Sequence, residues 1–224
     1  RDFRILCNLE LGRQVEQMKM FPQQTGTKSV DRADIGAGEK LLLPLVEEVR
    51  RRLGKVVYDV LDTDGGSLAL SAVRALKQRG WTIATAESLT GGLIASSMVE
   101  VPGASQVVKG GFVTYQSVSK TMLLGVPAEM IEQYDVVSAE VARAMAKGAR
   151  ERLGVDIAVS ATGLAGPDGG TPERPVGTVF LGIATAKGVY DIPLHLTGNR
   201  ARIRTLTMKN ALNAVRLEAE DKDK

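Results

Sequence analysis

The sequence predicts an α/β fold, in which helices flank a layered mixed β-sheet, with a short N-terminal appendage. Short apolar runs typical of strands alternate with segments whose apolar residues recur every three or four positions, as in amphipathic helices. Near the end, two strand-like segments at 178–184 and 189–196 are joined across Lys187-Gly188 and predict an antiparallel hairpin. The 224 residues, 44% of them hydrophobic, are enough to bury one sizeable core.

The N-terminal appendage, or connector, is predicted over residues 1–58. Helical spacing of apolar residues begins at Glu39 and continues to Leu53, and Gly54 is a plausible end for that helix. Because the chain opens with Arg1 rather than methionine, the presence of an upstream domain is left open. The main domain is predicted over residues 66–218.

The first half of the main domain contains two predicted strands and two predicted helices. A helix begins near Leu68 and ends near Gly80, since glycine is common just past a helix end. A strand over 82–86 follows, and the apolar stripe between Leu93 and Val101 predicts the second helix. The second strand, over 111–115, leads toward Lys120.

The second half begins with a long amphipathic helix. Ser138 is its predicted N-cap, and four apolar residues are expected to face inward: Val141, Met145, Ala149 and Leu153. A short apolar strand over 157–161 comes next, then the hairpin, and then a closing helix over 200–217. The charged tail, 218–224, is expected to fray.

Composition excludes several classes of function. The 29 basic and 26 acidic residues give a net charge of +3 and are scattered, which argues against nucleic acid or a membrane surface as partner. The single cysteine, Cys7, excludes disulfide frameworks and cysteine-ligated zinc. The single histidine, His195, lies in an alternating strand and is expected on a strand face rather than in catalysis. With no membrane-length apolar run and no signal peptide in the sequence, a cytoplasmic protein is expected.

Three glycine-rich segments follow predicted strands, at Ser88–Gly92, Thr162–Gly170 and Thr197–Arg200. Ligands of open α/β sheets bind at the carboxyl ends of strands, where glycines let backbone N–H groups approach an anion or a carbonyl oxygen. None of the three is a Walker loop or a dinucleotide fingerprint. Each alone is typical of a tight turn, but the three together predict a site for a small molecule.

Ser88 has the setting of a nucleophile, because it lies where a strand turns into a helix; an N-cap role explains the same position equally well. Backbone donors of Thr90, Gly91 and Gly92 are then candidates for an oxyanion hole. A serine nucleophile needs a base, and a lysine serves only if its pKa is lowered by burial or by neighbouring positive charge. Lys120 is one candidate, although spacing alone favours a surface lysine.

The order of these segments resembles that of the CinA C-terminal domain family, whose members include nicotinamide-nucleotide amidohydrolases. The match runs from about Leu68 to Leu217, roughly two-thirds of the chain. The segment from Ala84 to Leu93 is similar to the family's AESCTGG motif, with Ser88 at its serine. The other matching segments, in order, are 101–105, 110–115, Lys120 with 123–126, 137–138, 162–170, 175–179 and 198–200.

The resemblance implies that nicotinamide mononucleotide is hydrolysed to nicotinate mononucleotide and ammonia, in pyridine nucleotide recycling, by a serine–lysine mechanism without metal or cofactor. Carried over by position, Ser88 is the nucleophile, Lys120 the base, and Tyr115 a neighbour that orients or relays. Thr162-Gly163 would line the pocket. Arg200 would meet the substrate phosphate or hold the site together. The resemblance also implies a homodimer.

The sequence departs from the family pattern at two places beside the site. Leu89 stands where many relatives have cysteine, and Gln116–Ser119 differs from the usual Ser-Asn-Glu-Ala before the lysine, which bears on how Lys120 is held. Two alternatives therefore stay open, a non-catalytic nucleotide-binding or regulatory module and an amidase with another substrate. Residues 47–58 are similar to the end of a KH-like connector found in some relatives, so that 1–58 is interpreted as its remnant.

Overall fold

The computed structural model describes residues 4–7, 51, 57–61 and 67–221. The chain divides into two units, residues 1–66 and 67–224. In the first unit, strands β1 (Arg4–Cys7) and β2 (Val57–Leu61) pair antiparallel. The helix predicted from Glu39 lies outside the described residues apart from Arg51, which is helical.

The second unit contains five strands and six α-helices within the described residues 67–221. In chain order they are α1 (Leu68–Arg79), β3 (Ile83–Glu87), α2 (Leu93–Val99), β4 (Val108–Val113), α3 (Ser117–Leu124), α4 (Ala128–Tyr134), α5 (Ala139–Leu153), β5 (Ile157–Gly163), β6 (Thr178–Thr185), β7 (Gly188–His195) and α6 (Arg200–Glu220). The predicted α/β fold is confirmed, whereas α3 and α4 were not anticipated from the sequence.

The five strands form one mixed sheet in the order β4-β3-β5-β6-β7. Strand β3 is parallel to both of its neighbours, and β6 is antiparallel to both β5 and β7, which confirms the predicted hairpin. It follows that β3, β4, β5 and β7 all point in the same direction. Their carboxyl ends therefore lie at one edge of the sheet, where a ligand site is expected.

Helices cover both faces of the central strands, so that β3 is buried at all five of its positions. On one face, Ala84 and Ala86 pack with Val141, Met145 and Ala149 of α5. On the other face, α2 and α6 lie against the sheet, and α1 packs on α6. The core thus fixes β3 firmly, and the segment that follows it leaves the sheet from a rigid support.

The predicted ends of two helices are confirmed. Gly80 caps α1 with a positive φ of 71°, a conformation that glycine adopts without strain. Ser138 caps α5, and its hydroxyl accepts a hydrogen bond from the Val141 N–H at 3.3 Å.

The inward orientation predicted for Leu153 is wrong, because this residue ends α5 and is 36% exposed. His195 is exposed at the end of β7, as expected for a strand-face residue.

Candidate active site

Ser88 directly follows β3, and its backbone N–H donates to the Ala161 carbonyl of β5 at 2.9 Å. The next helix, α2, begins at Leu93 with Gly92 as its N-cap. Ser88 is therefore not the cap of that helix, and one of its two predicted roles is excluded. It begins a turn over residues 88–92, which we call the serine turn, and only 9% of its surface is exposed.

Lys120 is the fourth residue of α3, and only 1% of its surface is exposed. Its Nζ lies 3.2 Å from the Ser88 Oγ and donates a 2.6 Å hydrogen bond to the Thr114 carbonyl. Within the described residues, no carboxylate forms an ion pair with this amine. Burial lowers the Lys120 pKa from 10.5 to about 8, because the charged form loses its water. The alternative of a surface lysine is wrong.

The side chains of Gln116–Ser119 take no part in holding Lys120. Val118 is 56% exposed, and the two hydrogen bonds of the lysine go to Ser88 and to Thr114. Thr114 is itself fixed by its backbone N–H, which donates to the Glu87 carbonyl at 2.8 Å. The residues that depart from the family pattern here thus supply neither of the two hydrogen bonds of the Lys120 amine.

A cavity of about 380 Å³ opens at the carboxyl edge of the sheet, and both Ser88 and Lys120 line it. All three glycine-rich segments predicted to form a ligand site contribute to its wall. The other lining residues are Leu89, Tyr115, Gln116, Ser117, Val136, Val137, Thr162, Gly163, Leu164, Ala165 and Arg200. Its volume lies within the usual range of small-molecule sites.

Tyr115 and Arg200 meet on one side of this cavity. One guanidinium nitrogen of Arg200 lies 3.1 Å from the Tyr115 hydroxyl, and another donates to the Gly166 carbonyl at 2.8 Å. Arg200 thereby ties the residues that follow β4 to those that follow β5. The Tyr115 hydroxyl is directed to Arg200, and no hydrogen bond joins it to Ser88 or Lys120 in the described structure.

Thr162 and Gly163 form the part of the wall that belongs to β5. The Thr162 hydroxyl donates to the Val136 carbonyl at 2.6 Å, which draws the residues before α5 against the cavity. A Cβ at Gly163 would lie 2.8 Å from the Thr178 carbonyl oxygen and 2.7 Å from a Val179 methyl group. Glycine is needed here because β6 approaches too closely for a larger residue.

Thr90, Gly91 and Gly92 do not line the cavity, and this part of the predicted site is corrected. The Gly91 N–H donates to the Ser88 carbonyl at 3.1 Å, and the Gly92 N–H donates to the Glu87 carboxylate at 2.9 Å. Both amides are thus already bonded within the chain. Thr90 is fully buried.

Two charged residues outside the predicted site hold the serine turn. Glu87 has a fully buried carboxylate at the end of β3, and Arg204 contacts the turn from α6. A charged residue at the end of an otherwise uncharged strand is one available signal for Glu87. The signal for Arg204 was its position four residues after Arg200, which places both side chains on the same face of a helix.

The arrangement suits nucleophilic chemistry. Among the described residues, no group of three or more His, Cys, Asp or Glu side chains is placed to hold a metal. A neutral lysine amine beside a serine hydroxyl can accept the hydroxyl proton as the oxygen attacks a carbonyl carbon.

None of the helices in the described ranges is long and apolar enough to cross a membrane.

Fold and site together define an α/β domain whose mixed sheet presents a buried serine–lysine pair in a cleft at its carboxyl edge. The model of the CinA C-terminal domain family matches residues 66–218, and the chain belongs to this family. The family membership expected from the sequence motifs is thereby confirmed.

The chain is similar to proteins that are named CinA-like or CinA superfamily proteins. A CinA-like protein of Dictyoglomus thermophilum is 45% identical over 178 residues, which cover 80% of this chain and 43% of the relative. The chain therefore spans less than half the length of that relative. The solved structure of the competence/damage inducible protein CihA from Agrobacterium tumefaciens has a TM-score of 0.67 and 36% identity, and the match covers 72% of this chain and all of that one. The solved structure of a CinA superfamily protein from Klebsiella pneumoniae has a TM-score of 0.66 and 30% identity, and the match covers 68% of this chain and 95% of that one.

Proposed function

We propose that this chain hydrolyses the carboxamide of nicotinamide mononucleotide to nicotinate mononucleotide and ammonia. The observation that carries the proposal is the Ser88–Lys120 pair, with Oγ and Nζ 3.2 Å apart on the wall of a cleft of suitable size. The lowered pKa, about 8, leaves about a tenth of the Lys120 amine neutral at pH 7, so that a base is available near neutral pH.

In the first half of the reaction, the neutral Lys120 amine takes the proton of the Ser88 hydroxyl while Oγ forms a bond to the carboxamide carbon. The resulting tetrahedral intermediate collapses when the C–N bond breaks. The lysine ammonium returns its proton to the departing nitrogen, which leaves as ammonia. The Thr114 carbonyl accepts a hydrogen bond from the lysine and so holds its amine within reach of Ser88 Oγ.

In the second half, water attacks the ester that now joins the substrate to Ser88. Lys120 again takes a proton, this time from the water, and then returns it to Oγ as the ester C–O bond breaks. The products are a carboxylic acid, which ionises, and the free serine. Each proton that the lysine accepts is thus given back within the same half-reaction, and no metal or cofactor is required for the balance.

The walls of the cleft fit the two ends of this substrate. Val136, Val137, Leu164 and Ala165 form an apolar wall suited to a pyridine ring. Arg200 opens α6, where the helix dipole and the backbone N–H groups favour a phosphate. Two of its five guanidinium donors have partners, the Tyr115 hydroxyl and the Gly166 carbonyl, which leaves others for the substrate.

To test this proposal, the purified chain is incubated with nicotinamide mononucleotide and a chelator, and the formation of nicotinate mononucleotide and ammonia is measured. We expect both products in equal amounts, and a loss of at least about a thousandfold in Ser88→Ala and Lys120→Ala. The matched control is Lys109→Ala, because Lys109 is an exposed lysine on β4. Near-normal turnover in either site variant would remove that residue from the mechanism.

Folded protein that yields no product from this substrate would overturn the proposal, and two further measurements would identify its replacement. A rise in melting temperature with a pyridine mononucleotide, without turnover, would favour the nucleotide-binding or regulatory module. Ammonia release from a different carboxamide would favour an amidase with another substrate. The homodimer implied by the family resemblance stays a prediction, which sedimentation of the same protein tests.

A further inference from the structure

We propose that Arg204 is a positioning residue that holds the serine turn in the geometry in which Ser88 reaches Lys120. This inference rests on the proposed function, since it assigns a role in the same site. Arg204 does not line the cleft, and it acts from behind the turn, on the side of α6.

The guanidinium of Arg204 binds two successive carbonyl groups of the serine turn. Its Nε donates to the Leu89 carbonyl at 2.9 Å, and a terminal nitrogen donates to the Thr90 carbonyl at 2.8 Å. Both acceptors belong to the two residues that directly follow the nucleophile. A planar guanidinium with donors in a fixed fork suits this pair of acceptors better than a single ammonium does.

The other end of the turn is held by Glu87. Its carboxylate accepts from the backbone N–H groups of Gly92, Ile94 and Ala95 at 2.9, 3.1 and 2.9 Å. An anion thus binds the amides at the start of α2, while a cation binds the carbonyls before them. Ser88 follows Glu87 directly and precedes the two carbonyls that Arg204 binds, and its own backbone N–H is bonded to Ala161 of β5.

Gly91, inside the serine turn, lies beside the Arg204 guanidinium. Gly91 has a positive φ of 60°, and a Cβ at this position would lie 3.4 Å from a terminal nitrogen of Arg204. The Gly91 N–H also closes the turn onto the Ser88 carbonyl at 3.1 Å. Removing the guanidinium would leave the Leu89 carbonyl without its donor, and the turn would then sample other conformations. Because nucleophilic attack depends on sub-ångström placement, the rate would fall.

The test measures the reactivity of Ser88 without relying on the natural substrate. Each protein is treated at pH 8 with a small serine-reactive sulfonyl fluoride, and labelling of Ser88 is followed by intact-protein and peptide mass spectrometry. We expect Arg204→Met to be labelled at least about tenfold more slowly than the wild type. The matched control, Arg202→Met, removes an exposed arginine from the same helix and should be labelled at the wild-type rate.

Two further readouts separate positioning from a general loss of stability. Labelling is measured well below the melting temperature of each variant. Its midpoint in pH should stay near that of the wild type, because Lys120 stays buried and keeps its hydrogen bond to the Thr114 carbonyl. In the turnover assay the loss should lie in kcat rather than in KM. Arg204→Gln, which retains one amide donor, should be intermediate, and it replaces Arg204→Met should the latter fail to fold.

The outcomes distinguish this inference from the proposed function. Labelling of a folded Arg204→Met or Arg204→Gln protein at the wild-type rate overturns the inference, and turnover by the wild type would still support the function. If the wild type shows neither labelling at Ser88 nor turnover, the proposed function fails and the inference falls with it. Slow labelling in the Arg204 variants, together with a normal rate in Arg202→Met, supports the positioning role.

Discussion

The Lys120 amine lies 3.2 Å from the Ser88 hydroxyl, although the two residues are 32 positions apart and belong to segments that follow different strands. Ser88 follows β3, and Lys120 belongs to the helix that follows β4. Because β3 and β4 are parallel neighbours, their carboxyl ends are adjacent, and both residues emerge at the same edge. The pairing is thus a consequence of topology. It also buries the Lys120 amine, and burial lowers its pKa.

The rate of ammonia release is expected to follow the ionisation of Lys120. Since the neutral amine is the base and its pKa is about 8, kcat/KM should rise about tenfold per pH unit below that value and level off above it. The measurement is kcat/KM for nicotinamide mononucleotide between about pH 6.5 and 9.5, with Ser88→Ala as the blank. A flat profile across this range would mean that Lys120 does not act as the base.

Lys120 should also make stability depend on pH. Its folded-state pKa, about 8, is lower than the value of 10.5 for an exposed lysine, so the unfolded chain binds more protons between these two values. The wild type should therefore gain stability, relative to Lys120→Met, as the pH rises from about 8 to 10.5. The measurement is the difference in melting temperature between the two proteins as a function of pH. Lys109→Met, at an exposed position, should show no such trend.

Most of the sheet could be predicted from the sequence, because its signals are local. The hairpin of β6 and β7 follows from two alternating runs joined by a short turn, and α5 follows from Ser138 and the apolar spacing after it. Helices α3 and α4 were missed because they are short and lack such a signal. The first is eight residues long with Val118 and Met122 exposed, and the second contains no buried residue. Both contact α5, which is distant in sequence from α3, so local spacing does not reveal them.

The residues of the site could be predicted better than their hydrogen bonds. Ser88 and Arg200 lie in glycine-rich segments after predicted strands, whereas the roles of Lys120 and Tyr115 follow from the family resemblance. The topology brings all four to one cleft. The oxyanion-hole amides could not be assigned correctly, because the glycines suggested free donors. The acceptors that occupy those donors, the Ser88 carbonyl and the Glu87 carboxylate, are determined by how the turn folds back.

Tyr115→Phe distinguishes two roles for the tyrosine. Because its hydroxyl contacts Arg200 at 3.1 Å, and neither Ser88 nor Lys120, we expect this variant to lose only about fivefold in kcat/KM, the value of one ordinary hydrogen bond. The loss should lie mainly in KM, since Arg200 retains its bond to Gly166 but is held less firmly. A fall in kcat as large as that in Lys120→Ala would instead assign proton relay to Tyr115.

Gly148 is where α5 touches the helix that contains Lys120, and Gly148→Ala tests how closely the base depends on that contact. A Cβ at Gly148 would lie only 2.8 Å from the carbonyl carbon of Leu124 and would overlap the carbonyl oxygen, so α3 would have to move away from α5. Alanine normally stabilises a helix interior by about 1 kcal/mol relative to glycine. Here we expect the opposite sign, a loss of about 1–3 kcal/mol in the free energy of unfolding.

Turnover by the Gly148→Ala protein should fall by about tenfold or more, because a shift of α3 moves the Lys120 amine relative to Ser88. Chemical denaturation and the ammonia assay, at a temperature where the variant is folded, measure the two effects. The control is Lys147→Ala, which changes the preceding, exposed residue of the same helix and should alter neither quantity appreciably. A Gly148→Ala protein that is more stable than the wild type and equally active would show that α3 and α5 are not in close contact at this point.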